Sequence, residues 1–569
     1  MAFVQAAAIG LIALILTPGF SFYFDVTPKL VVLLAAAGIC CAGTRPAPRS
    51  TFSVLVMLSV LSLVVSTALS GSHEISAFGT NWRRYGAVTQ SAILLLAWFV
   101  SAQAPRAVAM LRIVAAAGVA TAIYGIAQYF GWDPILPAGA YRVGEGVWAI
   151  VRPPGTLGYA SYFATWLLFV IFLTLAIPGR WWKLAAGMSV AAMAMTGTRA
   201  AILGLAAGVA VWLLWRGWRV PRRGAAVAVA LLAAAAVFYY SPAGWQLRSR
   251  ARWFAEDPWG GARPLLWRDT LRMAGARPAT GYGPETFGAE FPRYQSAALA
   301  RAYPDFAHES PHNMFLDALA AQGIPGLALL AGLCAAGFRA AWRARRKHPA
   351  TASALAAALA AGIVSQQFTG FTIPTATIFF ATIALAVGLD SPEGNVRRRS
   401  LACAAPGVLL IYLAVRFAAA DHALALTQRS FAAADVAGAA RHYEQARIPG
   451  ASSDLWYSRA LVRAGQLQPA IAAGVRATRT GEDPFNAWYS LSALYAAQND
   501  VQRAEASLRN AIHANPAWFK PHWTLARLLA MTGRAQEAAR EAALAADLDG
   551  GKHAEVAATL RQIRGLLQE

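Results

Sequence analysis

"AAMAMTGTRAAILGLAAG", from Ala191 to Gly208, is apolar almost throughout and carries one full positive charge, Arg199. A run of this composition reads as membrane helix. An arginine at bilayer depth is costly unless it lies near an interface or meets a partner, so the stretch is expected to turn at Arg199 and place it at a membrane face. Comparable apolar runs recur from Phe3 to Phe417, each about as long as a bilayer-spanning helix requires. The 569 residues are 57% hydrophobic and 14% charged, with a mean hydropathy of +0.43. A soluble chain of this size carries about a quarter charged residues. The composition therefore predicts an all-α, polytopic helical membrane bundle.

Twelve or thirteen spans are expected, near 3–22, 28–44, 51–70, 86–101, 108–130, 158–177, 183–196, 200–216, 225–240, 313–338, 351–368, 375–389 and 401–418. Alternate connections differ in charge. One set holds Arg45, Arg49, Arg106, Arg112, Arg180, Lys183, Arg216, Arg219, Arg222 and Arg223, then Arg339 to Lys347 and Arg397 to Arg399. The short connections of the other set hold only Lys29, Arg83, Arg84, Arg142, Arg152 and Arg199. The positive-inside bias puts the first set in the cytoplasm. The Arg199 turn, a long loop over 241–312 and everything after the last span then fall on the far side. One missed or split span would move the C-terminal part across.

The formal net charge of +22 invites a nucleic-acid reading, but the arginines are scattered between apolar runs and form no basic stripe. No nucleic-acid partner is expected. Cys40, Cys41, Cys334 and Cys403 all lie in apolar segments, as small buried hydrophobes would, without metal-ligand spacing or a disulfide framework. The opening "MAFVQAAAIGLIALILTPGF" lacks a basic leader and a small-residue cleavage site, so it reads as an uncleaved first span.

Beyond Phe417 the composition shifts to Ala, Arg, Glu and Gln at helical spacing. Gly465, Asn499 and Gly533 stand 34 residues apart, as do Ala470, Ala504 and Ala538, and again Ala477, Ala511 and Ala545. Small residues at fixed offsets let two antiparallel helices approach, and large ones such as Trp488, Leu491 and Tyr495 fill the groove of the next pair. The period resembles the tetratricopeptide pattern, with "FAAADVAGAARHYEQA" as a degenerate first unit. The expected division is 1–420 as the membrane domain and 421–569 as the repeat domain, either a protein-binding surface or a spacer.

The long loop holds "GARPLLWRDTLRMAGARPATGYGPETF" and ends in "HESPHNMFLDALAAQGIPGLALLAG". A short helix over roughly 264–275 would set Arg268 and Arg272 on one face. His312 and Asn313 stand at the mouth of the tenth span, with Asp317 just inside it. Several arginines and an imidazole at one membrane face suit chemistry on a phosphate-bearing lipid. Guanidinium groups grip phosphate oxygens in pairs and stay charged, and a neutral imidazole can take a proton from a hydroxyl.

These stretches, with "TGTRAAILG", "GTNWRRYGAVTQ" and "AIYGIAQYFGWDP", resemble the O-antigen ligase and polymerase superfamily, bacterial inner-membrane glycosyltransferases, over roughly residues 50–390. The resemblance implies transfer of a glycan from undecaprenyl diphosphate to an acceptor hydroxyl at the periplasmic face, with inversion at the anomeric carbon and without a metal or other cofactor. It implies that Arg199 and Arg263 hold the diphosphate and that His312 is the base. Arg268, Arg272, Arg83, Arg84, His308 and Asn313 are further candidates for substrate contact. The acceptor is left open among lipid A-core, a growing glycan and a protein side chain. Where many relatives carry an Asn-Pro-Asn-like stretch after "RPPGTLG", this chain reads Tyr159-Ala160-Ser161.

Structural alternatives stand beside each of these roles. Arg199 could snorkel to lipid head groups, His312 could cap a helix, and Arg268 and Arg272 could rest on anionic lipid. Asp305 and Glu309 are too sparse for a metal site, and Asp547-Leu548-Asp549 reads as a solvated turn. A protein O-oligosaccharyltransferase, a transporter, or a membrane scaffold recruiting partners through its repeats are the competing functions. A transporter would be expected to show inverted repeats, with intramembrane acids or broken helices at mid-bilayer.

Overall fold

The computed structural model describes residues 1–41, 50–103, 106–143, 150–217, 222–256, 261–390, 404–447, 453–480 and 482–567. Arg45, Arg49, Arg219, Arg397 to Arg399 and Cys403 lie outside the described residues, as do the side chains of Arg222 and Arg223. The chain is an all-α, polytopic membrane protein, 76% helical. Among the described residues, five helices are long and apolar enough to cross a membrane: Thr51–Ala68, Ala107–Tyr129, Met314–Ala344, Ile373–Asp390 and Ala404–Ala432. Six more apolar helices of 10–17 residues pack among them.

The bundle is centred on Ala160–Leu175, where Trp166, Leu167, Leu168 and Phe169 are fully buried. Beside it, Arg199–Trp215 lies along the alanine-rich helix Pro349–Ser365. Gly204 and Gly208 make that approach possible. A Cβ on Gly204 would sit 2.7 Å from the Ala361 carbonyl oxygen, and one on Gly208 would sit 3.0 Å from that of Ala357. This is the small-residue contact that brings membrane helices backbone to backbone. It seats the helix whose first residue is Arg199.

Met314–Ala344 is two helices joined at a break. Gly323 has φ 67° and ψ −163°, with Pro325 just beyond it. The break frees backbone groups, and the loop turn Pro278–Gly283 takes them up. Tyr282 N–H donates to Ala320 O (3.0 Å), Gly283 N–H to Ala321 O (2.8 Å), and Ile324 N–H to Pro278 O (2.7 Å). Gly281 and Gly323 both have positive φ, and a Cβ on either would lie 2.4 Å from the opposing backbone. The glycines thus lock the long loop to the half-helix that follows His312.

Ala404–Ala432 does not stop at the expected end of the last span near 418. It continues as one helix and pairs with Val436–Ala446, so the membrane helix itself supplies the first strut of the repeat array. Three further antiparallel pairs follow, Asp454–Arg463 with Leu467–Thr480, Pro484–Ala497 with Val501–Ala514, and Phe519–Met531 with Ala535–Asp549. Gly465, Asn499 and Gly533 are the left-handed turn residues at φ 72°, 59° and 77°. The alanines of the other two 34-residue series are each 0–1% exposed, as close helix contact requires.

The array docks onto the long loop. Arg301 pairs with Asp547 at 2.8 Å, and Asp305 pairs with Lys520 at 2.9 Å and with His553 at 3.2 Å. Ala300 packs beneath Phe519, Leu548 and Val556. The Asp547-Leu548-Asp549 segment is therefore part of an internal seam, with Asp549 only 1% exposed, where a solvated turn was expected.

Gly323→Ala is expected to lower the thermal midpoint of the detergent-solubilised protein, because strained backbone of this kind costs about 1–3 kcal/mol. Gly187→Ala, in a helix with open space around it, should leave the midpoint unchanged or raise it.

Candidate functional site

Four arginines from four separate segments converge on one cavity of about 220 Å³, lined by Arg152, Arg199, Arg250 and Arg263 with Tyr159, Ser161, Thr198 and Phe368. The turn Thr196-Gly197-Thr198 before Arg199 organises them. Gly197 takes φ 60°, and its carbonyl accepts from Arg250 Nε at 3.1 Å. The Thr196 carbonyl accepts from Arg152 Nε at 3.2 Å, and Thr198 Oγ1 accepts from Arg152 Nη2 at 3.3 Å. Phe254 lies between two guanidinium groups, with Arg199 Cζ 4.7 Å and Arg250 Cζ 4.9 Å from its ring centroid.

Local structure explains each position. Arg152 follows a two-residue antiparallel pairing of Arg142–Val143 with Ile150–Val151. Gln246 fastens that ribbon to the basic helix Trp245–Glu256 by accepting from Val151 N–H at 2.6 Å. That helix carries Arg250 and Phe254 one turn apart, so both reach the same turn. Burial, joined by the charges of Arg152 and Arg199, pulls the Arg250 guanidinium down to about 10. The depression reflects burial first and the neighbouring positive charges second.

His312 stands beside this cluster. Helix Arg263–Ala276 presents Arg263 and Trp267 on one face. Arg263 Nη2 donates to Phe368 O at 3.1 Å, and Trp267 Nε1 donates to Pro311 O at 2.9 Å. The helix thereby ties the arginine pocket to the residue before the histidine. His312 itself has φ 51°, an uncommon conformation for a bulky side chain. Ser310 Oγ lies 3.3 Å from both its backbone nitrogen and Nδ1. Burial, then the charges of Arg263 and Arg83, push the imidazole down to about 4. It is neutral at physiological pH.

Arg199 and Arg263 line one cavity, and His312 lies near enough to Arg263 to feel its charge. The other sequence candidates lie elsewhere in the framework. Asn313 caps Met314–Ala344, its Oδ1 accepting from Phe315 N–H (3.0 Å) and Leu316 N–H (3.2 Å). Arg268 and Arg272 are half-exposed or more and share the fully buried Asp269, which accepts from Ser296 N–H at 2.8 Å. Arg83 is buried against Glu285 (3.3 Å) and Asp317 (3.6 Å) and donates to Phe371 O at 3.1 Å. Arg84 is buried at the foot of the repeat array, bonded to Asn81 and lying over Phe417. His308 packs edge-on to Phe291.

Arg152 and Arg250 were not singled out in the sequence as site residues. Arg152 counted only as one more charge in a short connection. The Arg250–Phe254 spacing of four on a basic helix is the signal that could have raised Arg250. Tyr159 and Ser161, where the chain departs from the superfamily pattern, are both in the cavity wall. Among the described residues, no group of three or more His, Cys, Asp or Glu side chains could hold a metal ion.

Replacing Arg83 by Met leaves Glu285 and Asp317 without their counter-charge. A loss of about 3–5 kcal/mol is expected, read as a drop in thermal midpoint. Arg293→Met, which removes an exposed pair with Glu290, should change stability by less than about 1 kcal/mol.

Comparison with known proteins gives three results. No curated protein matches the chain. A solved structure, "Crystal structure of MamA protein", aligns over 26% of this chain and 88% of its own, at 14% identity and a TM-score of 0.21. Residues 184–331, the stretch that holds Arg199, Arg250, Arg263 and His312, match the O-Antigen ligase family, and the chain carries a domain of that family there.

Proposed function

We propose that this protein is an inner-membrane glycosyltransferase that moves a glycan from undecaprenyl diphosphate to an acceptor hydroxyl at the periplasmic face. The O-antigen ligase domain supports ligase- or polymerase-type transfer between lipid-linked and glycan substrates. The observation that carries the finer reading is the pocket of four arginines, one of which, Arg263, acts by its charge on the neutral His312.

The arginines bind the diphosphate and stabilise the negative charge that grows on it as the glycosidic C–O bond breaks. The acceptor oxygen attacks the anomeric carbon from the opposite side, forming the new C–O bond with inversion. His312 Nε2 takes the acceptor's proton, while Ser310 holds Nδ1. The leaving diphosphate keeps the electron pair of the broken bond. Arg152 and Thr198 keep the Arg199 turn in shape, and Arg250 closes the pocket from the basic helix. No step in this route calls for a metal.

A low imidazole value suits the role in a specific way. In the unliganded protein burial and the charges of Arg263 and Arg83 keep His312 unprotonated and ready to accept. A diphosphate arriving in the arginine pocket offsets the Arg263 charge, so the imidazole becomes more basic as the donor binds. The base is thus strengthened by its own substrate.

The test is transfer of a glycan from purified lipid diphosphate to a panel of acceptors, with products read by mass spectrometry. His312→Ala is expected to abolish transfer. Arg199→Ala and Arg263→Ala should each cost about 10²–10³-fold in kcat, and Arg152→Ala and Arg250→Ala should also lower it. Normal products from His312→Ala would overturn the proposal. The acid limb of kcat/KM reports the free enzyme and is expected near pH 4, well below the ordinary histidine value of 6.5. Arg263→Gln removes one of the depressing charges and should move that limb upward.

A further inference from the structure

The arginine cavity has two unlike ends. Arg199–Trp215 starts at the cavity, and Ala160–Leu175 starts one residue after Tyr159, which lines it; both helices run from there into the bundle. Leu203, one turn deeper than Arg199, lines the cavity and is 52% exposed on the apolar flank of its helix. Tyr159 stands at the outer end, and it too is half-exposed. The guanidinium groups lie between an aliphatic side chain and an aromatic ring.

Tyr159 is held in place from below. The turn that precedes it is pinned to two other helices, with Gly155 N–H donating to Gln128 Oε1 at 2.9 Å and Thr156 Oγ1 donating to the Ala13 carbonyl. Gly155 and Gly158 take φ 57° and 83°, which sets the sharp approach to the helix. The Tyr159 carbonyl accepts from Phe163 N–H at 3.0 Å. Its ring meets that of Tyr162 edge-on, with centroids 5.5 Å apart, and the Arg152 Cζ lies 5.8 Å from its centroid. Arg152 is itself bonded to Thr196 O and Thr198 Oγ1. The ring is therefore kept at a set distance from the Arg199 turn, with much of its surface still open.

The chemistry of the two ends fits the two substituents of a lipid-linked diphosphate. With the phosphates among the guanidinium groups, a prenyl chain leaves past Leu203 into the apolar flank. The sugar leaves at the other end. It is joined to phosphorus through a single oxygen, so its ring lies directly beside the cations. A pyranose carries C–H groups on its faces and hydroxyls around its edge. A tyrosine offers the complement, a flat apolar face with a hydroxyl at its tip.

We infer that Tyr159 is the platform on which the sugar bonded to the donor diphosphate stacks, and that it makes this first sugar a requirement for tight donor binding. This rests on the transferase reading above and assigns the end of that pocket where the glycan begins. Arg152 then links the two functions, since it braces the phosphate grip through Thr196 and Thr198 and the platform through the ring.

The test is donor binding to the full-length protein in lipid nanodiscs, with no acceptor present, by titration calorimetry. The two probes are farnesyl diphosphate and farnesyl diphosphate bearing N-acetylglucosamine. Tyr159→Ala should weaken the sugar-bearing probe about tenfold, the loss of roughly one ring contact, and leave farnesyl diphosphate unchanged. Tyr159→Phe, which keeps the ring, should retain most of the affinity for both. Trp181→Ala removes another exposed ring that has its own arginine, Arg180, with Cζ at 5.1 Å from the centroid, but lies outside this cavity, and should alter neither. Unchanged binding of farnesyl diphosphate by Tyr159→Ala also shows that the variant folds. Equal weakening of both probes means that the ring only props Arg152, and overturns the inference. So does equal affinity of wild type and Tyr159→Ala for the sugar-bearing probe. If the loss is selective for the sugar-bearing probe but the wild type transfers no glycan, the platform stands and the transferase reading fails. If the wild type transfers and Tyr159→Ala does so with an unchanged donor KM, the platform fails and the transferase reading stands.

Discussion

A helix cannot be interrupted inside a packed protein without something to take up the amide and carbonyl groups that the break releases. In Met314–Ala344 the interruption at Gly323 is met by the backbone of Pro278–Gly283. Much of the site follows from that junction. It fixes where the loop leaves the bundle, and so where helix Arg263–Ala276 lies. It also fixes the half-helix that begins after His312. Side chains could have satisfied the same groups, but backbone pairing admits no rotamer choice, and the glycines at 281 and 323 allow an approach that a Cβ on either would block.

Charge is arranged by a related economy of backbone. Arg152, Arg250 and Arg263 each donate to a main-chain carbonyl, those of Thr196, Gly197 and Phe368. Arg83 likewise donates to a carbonyl, that of Phe371, and is buried against Glu285 and Asp317 as a brace. Which groups meet each guanidinium is set by tertiary structure.

That dependence explains what the sequence could reveal. The helical membrane class was plain from hydropathy, and the 34-residue period picked out Gly465, Asn499 and Gly533, which the fold uses as left-handed turns. Local pattern singled out Arg199 because it stands out against an apolar neighbourhood, and His312 because it stands at the mouth of a span within a recognisable motif. It put Arg83 forward and passed over Arg152, although both are arginines in short connections, and only the fold shows which one meets acids. The seam of Arg301, Asp305, Asp547 and His553 was equally invisible, because its members are more than 200 residues apart along the chain from loop to array. Nor did any local signal mark the end of the last span, because alanine-rich helix serves lipid and repeat packing equally well.

The missing end point has a mechanical meaning. Ala404–Ala432 passes from the apolar bundle into the array with no joint. The 14 residues beyond 418 rise about 20 Å at 1.5 Å per residue. A flexible tether would let the array swing and sample its surroundings; a rigid post sets its height and heading. Whatever the array carries is presented at one fixed elevation above the lipid. A tilt of the post in the bilayer would swing the far repeats through a wider arc than the near ones, turning membrane shape into a lever on the loop they grip.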